Sequence, residues 1–276
     1  MEQGAVSDAG LAQDRPFCQP PPAMNEPLDP PQEAALFSGR LRLMQLRSGH
    51  RVGTDTVLLS AALDPAEGHL VDAGAGVGCV GLALAQRQSG LTTTLIERDP
   101  VVADLARHNI ALNALCERVQ LIQCDLTKAS ARRAAGLRDG MADALVTNPP
   151  WHDPKQAQVS PDHRRAAAHA YEDASGLETW VRAMAALLRP GGRFALIYRA
   201  DALKKCLDAL EGRFGALEIL PLQPRDQQPA HRVILRGIKG SRAPMSLLPP
   251  FIVHDGERFT PAAEAIHKGE ALLPGA

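Results

Sequence analysis

The stretch "HLVDAGAGVGCVGLALAQR", residues 69–87, decides the fold. It begins as a short apolar strand, passes through glycines at alternate positions, and continues as an apolar run with helical spacing. Gly74, Gly76 and Gly78 follow Asp72, and Cys79 stands where a G-x-G-x-x-G pattern would need its last glycine. Glycines in such a turn permit left-handed dihedrals and let a ligand come close to the backbone. The N-terminus of the helix just beyond can receive a phosphate or a carboxylate. A tight strand-to-helix turn with no ligand has the same composition, so this stretch alone leaves both readings open.

The same rhythm continues downstream. "TTTLIE" is a second strand, and Asp99 with Pro100 supplies an N-cap and first-turn proline for a helix with Val102, Leu105, Ala106 and Ile110 on one face. "RVQLIQCD" and "DALVTN" are a third and a fourth strand. "LETWVRAMAALLRPGG" is a helix with Leu177, Trp180, Val181, Met184 and Leu188 turned inward, and "RFALIYR" is a fifth strand. After residue 215, "ALEILP" and "HRVILRGI" follow with no full helix between them, which predicts an antiparallel edge pair. Apolar strands alternating with helices mean a sheet covered on both faces. The fold class is α/β: a doubly wound, mostly parallel seven-stranded sheet with an antiparallel edge strand.

The 276-residue chain is 45% hydrophobic, enough for one sizeable core, and its formal net charge of -1 gives no overall pull toward nucleic acid or membrane. Residues 1–34, rich in proline, read as a disordered tail, and 35–276 as one domain with a small C-terminal extension. The five cysteines are widely spaced, odd in number and without a C-x-x-C pair, which argues against a disulfide framework or structural zinc and for reduced thiols. No stretch approaches the roughly 18 continuous apolar residues of a membrane span. The N-terminus lacks the apolar core of a secretory signal. The expected setting is cytoplasmic, with no membrane contact and no obligate protein partner.

Glu97 ends the second strand nineteen positions after Gly78 and is placed to accept hydrogen bonds from both hydroxyls of a ribose. Asp125, ending the third, can accept from an adenine amino group or cap the helix after it. Strand ends lined with Gly, Glu and Asp favour an adenosine-containing cofactor.

D-x-G-x-G-x-G at 72–78, the acidic Glu97, Asp125 and Asn148-Pro149-Pro150-Trp151 after the fourth strand together resemble a class I S-adenosylmethionine-dependent methyltransferase. "HRVGTDTVLLSAAL" before the first strand and "RFTPAAEA" near the end are similar to the tRNA adenine-N6 methyltransferase family, whose members include the enzyme that modifies the adenosine beside the anticodon of valine tRNA. The resemblance implies a Rossmann-like fold, S-adenosyl-L-methionine as cofactor, and Asp72, Gly74, Gly76, Gly78, Glu97, Asp125 and Asn148 around it. It also implies that Thr54 and Asp55 close over the methionine end, with Asp55 toward the ammonium group; Thr54 is alternatively the N-cap of the helix it precedes.

In such an enzyme the nucleophile is an exocyclic amine whose lone pair is delocalised into its ring. The Asn148 side-chain oxygen and the Pro149 carbonyl can accept its two N–H groups and stabilise the charge that grows during attack. The prolines hold these carbonyls stiffly and Trp151 offers a stacking face for the base. The family usually has tyrosine or phenylalanine there; tryptophan is a departure that keeps the stacking face but is larger, which leaves open which base the pocket fits.

The same motif serves adenine amines, guanine amines and protein glutamine amides. Only about 45 residues, many of them proline, precede "GHRVGTD", where release-factor glutamine enzymes carry a helical substrate-binding domain, and ribosomal guanine enzymes often carry a duplicated second domain for which there is no room; both make those readings the weaker expectations. The first reading is therefore adenine N6 in tRNA; protein glutamine or rRNA guanine N2 methylation are alternatives, as is a non-catalytic cofactor- or RNA-binding protein. Lys155, Arg164 and Arg165 beside the motif are candidate RNA contacts, as are Arg225, Arg232, Arg236, Lys239 and Arg242. His152 and His163 without a third ligand predict no metal.

Overall fold

The computed structural model describes residues 31–47, 52–150 and 174–276. The chain opens with a hairpin, β1 (Gln32–Leu36) and β2 (Leu41–Gln45), followed by α1 (Thr54–Ser60). The alternating region comprises β3 (Glu67–Ala73), α2 (Cys79–Arg87), β4 (Gly90–Glu97), α3 (Pro100–Leu112), β5 (Val119–Gln123), α4 (Ala129–Ala134), β6 (Ala142–Thr147), α5 (Ala174–Leu187) and β7 (Leu188–Arg199). Then come α6 (Leu203–Leu210), β8 (Phe214–Arg225), β9 (Arg232–Lys239), β10 (Ser246–Leu247), β11 (Phe251–Asp255), β12 (Arg258–Phe259) and α7 (Pro261–His267).

The main sheet runs in the order β12-β11-β8-β9-β7-β6-β3-β4-β5, with β10 also on β8. From β5 through β7 every neighbour is parallel, and β9 pairs antiparallel with both β7 and β8. All seven strands expected from sequence are present and the antiparallel pair closes them at one end. The C-terminal segment adds three short strands beyond β8.

Period-two alternation assigns each strand residue to one of two cores. Leu70, Ala144, Val146 and Ala195 join the core beneath the hairpin, α1, α2, α3 and α7. Val71, Leu145, Phe194 and Leu196 join the core beneath α5 and α6. On α5, Leu177, Trp180, Val181 and Met184 recur at helical spacing and are all buried. Leu188, expected as the last residue of that stripe, is instead the first residue of β7, because the helix ends at Leu187. Each such large side chain contributes roughly 1.5–3 kcal/mol by leaving water.

The boundary of the proline-rich tail needs correction. Residues 1–30 lie outside the described residues, but β1 starts at Gln32, inside the stretch assigned to the tail through residue 34. Its backbone pairs with β2 from Gln32 opposite Gln45 to Leu36 opposite Leu41, a partnership that local composition does not reveal.

Candidate active site

The sheet register brings the carboxyl ends of four parallel strands to one level. Ala73 pairs with Ile96 on one side and Thr147 on the other, and Glu97 pairs with Gln123. Asn148, Gly74, Glu97 and Asp125 therefore follow one another along one edge. This is where open α/β sheets receive ligands.

After β3 the amides of Gly74 and Ala75 both donate to the Ile96 carbonyl, each at 2.9 Å, which swings the chain across the top of β4. Gly74 has φ +73°, and a Cβ there would stand 2.9 Å from the Trp180 ring. Gly76 has φ +57° with nothing within 4 Å of its Cβ position. One glycine is thus required by packing from below, while the other leaves the upper face of the turn open to a ligand.

Helix α2 has Gly78 as its N-cap, which has no side chain to satisfy the first amides. Asp72 does this from the strand: its Oδ2 accepts the Gly81 N–H at 2.8 Å. Asp72 is 2% exposed. Burial pushes its carboxyl up to about 7, the Gly81 amide opposes that shift, and the charge of Glu97 adds to it. Asp72, named from sequence as a cofactor residue, thus sits beneath the turn and holds its shape.

Glu97 is oriented by backbone donors. Its Oε1 accepts from the amides of Arg98 (2.7 Å) and Asp99 (2.8 Å), and its Oε2 from Gly76 (3.0 Å). A carboxylate has about four lone-pair sites, so one remains on Oε2 for a further donor such as a ribose hydroxyl. A second hydroxyl would have to displace the Gly76 amide. Asp125 is engaged by its own loop: Oδ1 accepts from the Thr127 amide (3.1 Å) and hydroxyl (2.6 Å), and Lys128 lies 3.4 Å from Oδ2. Burial works to raise its pKa, but the Thr127 and Lys128 contacts prevail and hold it below the usual carboxylate range. The helix after it is capped at Lys128, so Asp125 shapes a turn rather than serving as N-cap.

Asn148 and Pro150 are half-buried and Pro149 is buried, directly after the last paired residue of β6. Trp151, Lys155, Arg164 and Arg165 lie outside the described residues. Thr54 is the first residue of α1; Gly53 is the cap, with no side-chain bond, so the capping role considered for Thr54 is not the one it has. Asp55 receives Arg232 Nε at 2.7 Å, a partner that sequence spacing of this length does not show.

Sequence reading took Trp180 as core alone. Its Nε1 donates to the Thr147 hydroxyl at 3.0 Å, and that hydroxyl donates to the Ala73 carbonyl at 2.7 Å. The signal was available in principle, because a buried indole N–H needs an acceptor. The second basic cluster divides. Arg225 and Arg232 lie on the carboxyl edge, whereas β9 runs antiparallel and carries Lys239 to the opposite edge, where it donates to the Leu188 carbonyl at 2.6 Å. Arg236 is 3% exposed and lies 3.1 Å from Glu218, so it belongs to the interior. Cys79, Cys124 and Cys206 are free thiols. Among the described residues no cluster of His, Cys, Asp and Glu could hold a metal ion, and no helix is long and apolar enough to cross a membrane.

Known proteins agree with this architecture. A tRNA1(Val) (adenine(37)-N6)-methyltransferase of Porphyromonas gingivalis ATCC 33277 is 36% identical over 170 residues, 60% of this chain and 65% of that one. The chain thus spans a little under two thirds of that curated relative. The enzyme of the same name from Shewanella sp. strain W3-18-1 is 32% identical over 194 residues, 68% of this chain and 77% of that one. The crystal structure of a predicted O-methyltransferase from Agrobacterium tumefaciens superposes with a TM-score of 0.67 at 31% identity, covering 79% of this chain and 97% of that one. The model of the family described as "Methyltransferase small domain" matches residues 45–224. That match runs from the end of the hairpin through the glycine turn and Asn148 into β8, and on it this chain belongs to the methyltransferase small domain family.

Proposed function

We propose that this chain transfers a methyl group from S-adenosyl-L-methionine to an exocyclic amine, adenine N6 in a tRNA, in the cytoplasm. The observation that carries this reading is the register of Ala73 with Thr147, which sets Asn148 and Pro149 immediately beside the open face of the Gly74–Gly78 turn. The names of the Porphyromonas and Shewanella relatives support adenine and tRNA as the substrate.

The residues present suit the cofactor. Gly76 leaves room for close approach and Glu97 has an acceptor site for a ribose hydroxyl. Asp125 is proposed for the adenine amino group, and Thr54 and Asp55 for the methionine end. When bound, S-adenosyl-L-methionine supplies an electrophilic methyl on a positively charged sulfur. The chain's own part is to fix the amine. The Asn148 oxygen and the Pro149 carbonyl accept its two N–H groups, draw the nitrogen from planarity and oppose the positive charge that develops there. Holding amine and methyl in line supplies the rest of the acceleration. The proton leaves after transfer, so no base of matched pKa is required. Two acceptors side by side suit an NH2 group better than the single proton of a hydroxyl, which separates this reading from the O-methyl transfer named for the Agrobacterium protein. Trp151 offers the stacking face, and Lys155, Arg164, Arg165 and Arg225 are proposed as phosphate contacts.

Replacing Asn148 with Ala tests the assignment. Calorimetry should show S-adenosylmethionine affinity within about threefold of the unaltered chain, while methyl transfer falls by about 100-fold or more, the size of losing one fixed partner of the developing charge. Retained turnover with lost cofactor binding would refute the role.

A further inference from the structure

Strand β2 has an edge that β1 does not cover, and two asparagines occupy it. Asn109, near the end of α3, accepts the Met44 N–H at 2.7 Å and donates to the Met44 carbonyl at 3.0 Å. Asn113, one turn later, accepts the Arg42 N–H at 3.0 Å and donates to the Arg42 carbonyl at 2.7 Å. The two side-chain amides satisfy the strand backbone as a neighbouring strand would.

Asn109 does one thing that Asn113 does not. Its amide also donates to the Val77 carbonyl at 2.9 Å, inside the turn, between Gly76 and Gly78. Asn109 is 0% exposed, so water does not compete for these bonds. Glycine-rich backbone loses more conformational freedom than any other when it is ordered, and an anchor at its centre reduces what a ligand must still immobilise. From the same strand, Gln45 Oε1 accepts the Val52 N–H at 3.0 Å at the entry to α1, which carries Thr54 and Asp55. The hairpin therefore grips both segments that face the cofactor.

We propose that Asn109 is a positioning residue for cofactor binding, tying the Gly76–Gly78 turn to the N-terminal hairpin so that the hairpin sets affinity for S-adenosylmethionine. The inference rests on the reading of this turn as the cofactor site.

The test compares Asn109→Leu with Asn113→Leu, each of which strips one residue's pairing from β2. Calorimetric titration with S-adenosylhomocysteine should show Kd raised about tenfold by Asn109→Leu and changed less than about twofold by Asn113→Leu. For Asn109→Leu, kcat at saturating cofactor should stay near that of the unaltered chain while KM for S-adenosylmethionine rises. Unchanged affinity in Asn109→Leu, or equal weakening in both variants, overturns the proposal. If Asn109→Leu does not fold, hydrogen exchange on the unaltered chain decides. S-adenosylhomocysteine should slow exchange of the Met44 amide, held by Asn109, more than that of the Arg42 amide, held by Asn113, and equal protection overturns the proposal. Absence of binding by the unaltered chain would instead remove the cofactor reading itself, and this inference with it.

Discussion

Trp180 donates its indole N–H to the Thr147 hydroxyl at 3.0 Å, and the same ring lies 2.9 Å from where a Cβ on Gly74 would stand. One side chain from α5 thereby supports two adjoining strand ends, the turn after β3 and the residue before Asn148. Gly74→Ala should cost roughly 2–4 kcal/mol, from the left-handed backbone and the collision together. The cost should shrink by at least about 0.5 kcal/mol in a Trp180→Phe background, because the two sites are in contact. Chemical denaturation of the four proteins measures this, and an identical cost in both backgrounds would show that the ring is not the constraint.

Asp72 gives the stability of the fold a pH dependence of defined sign. Its folded pKa of about 7 lies above the ordinary value of 3.8, so between these the folded state binds more protons than the unfolded one. Stability from this group is full below about pH 4 and is lost as pH rises toward about 7, by an amount on the order of a few kcal/mol. Asp72→Asn keeps an acceptor for the Gly81 amide and does not ionise. The stability gap between the two proteins should move in favour of Asp72→Asn as pH is raised from about 4 to 8; a gap that stays constant would contradict the assignment.

Glu97→Ala removes an acceptor from three amides and from the site proposed for a ribose hydroxyl. Cofactor Kd should rise about 10- to 100-fold, since bonds to a charged acceptor contribute roughly 1.5–3 kcal/mol. Equilibrium titration checks it, and unchanged affinity would remove Glu97 from the site.

The two edges of the sheet should behave differently toward RNA. Arg225 is exposed on the carboxyl edge, and Arg242 is exposed beyond the end of β9 that lies on the other edge. Arg225→Ala should weaken tRNA binding and lower its salt slope by about one, while Arg242→Ala leaves both unchanged. Binding measured across a salt series distinguishes them, and equal effects would move the RNA off this edge.

Local chemistry made much of this legible in advance. Asp99 and Pro100 read as a helix start, and Asp99 does accept from the amides of Val101 (2.9 Å) and Val102 (3.2 Å). The buried stripe of α5 and the seven long strands follow from apolar spacing. What escaped depends on partners far along the chain. Arg236 reads as surface until β8 places Glu218 beside it, and Asp55 reads as open until β9 returns with Arg232. The edge of β2 closed by Asn109 and Asn113 is a contact across 65 to 71 residues, with no local signal beyond two amides one helical turn apart. Asp72 was visible as a site residue, but its role depends on facing: it shares a side of β3 with Leu70 and so points at α2 rather than into the cleft.

The most direct test of the central claim supplies methyl-labelled S-adenosylmethionine and bulk tRNA from a strain lacking this gene, then identifies the labelled nucleoside by mass spectrometry. N6-methyladenosine should appear in tRNA, formed by the unaltered chain and not by Asn148→Ala. Label on a ribose hydroxyl, on guanine or on protein, with tRNA adenine left unlabelled, would contradict that claim.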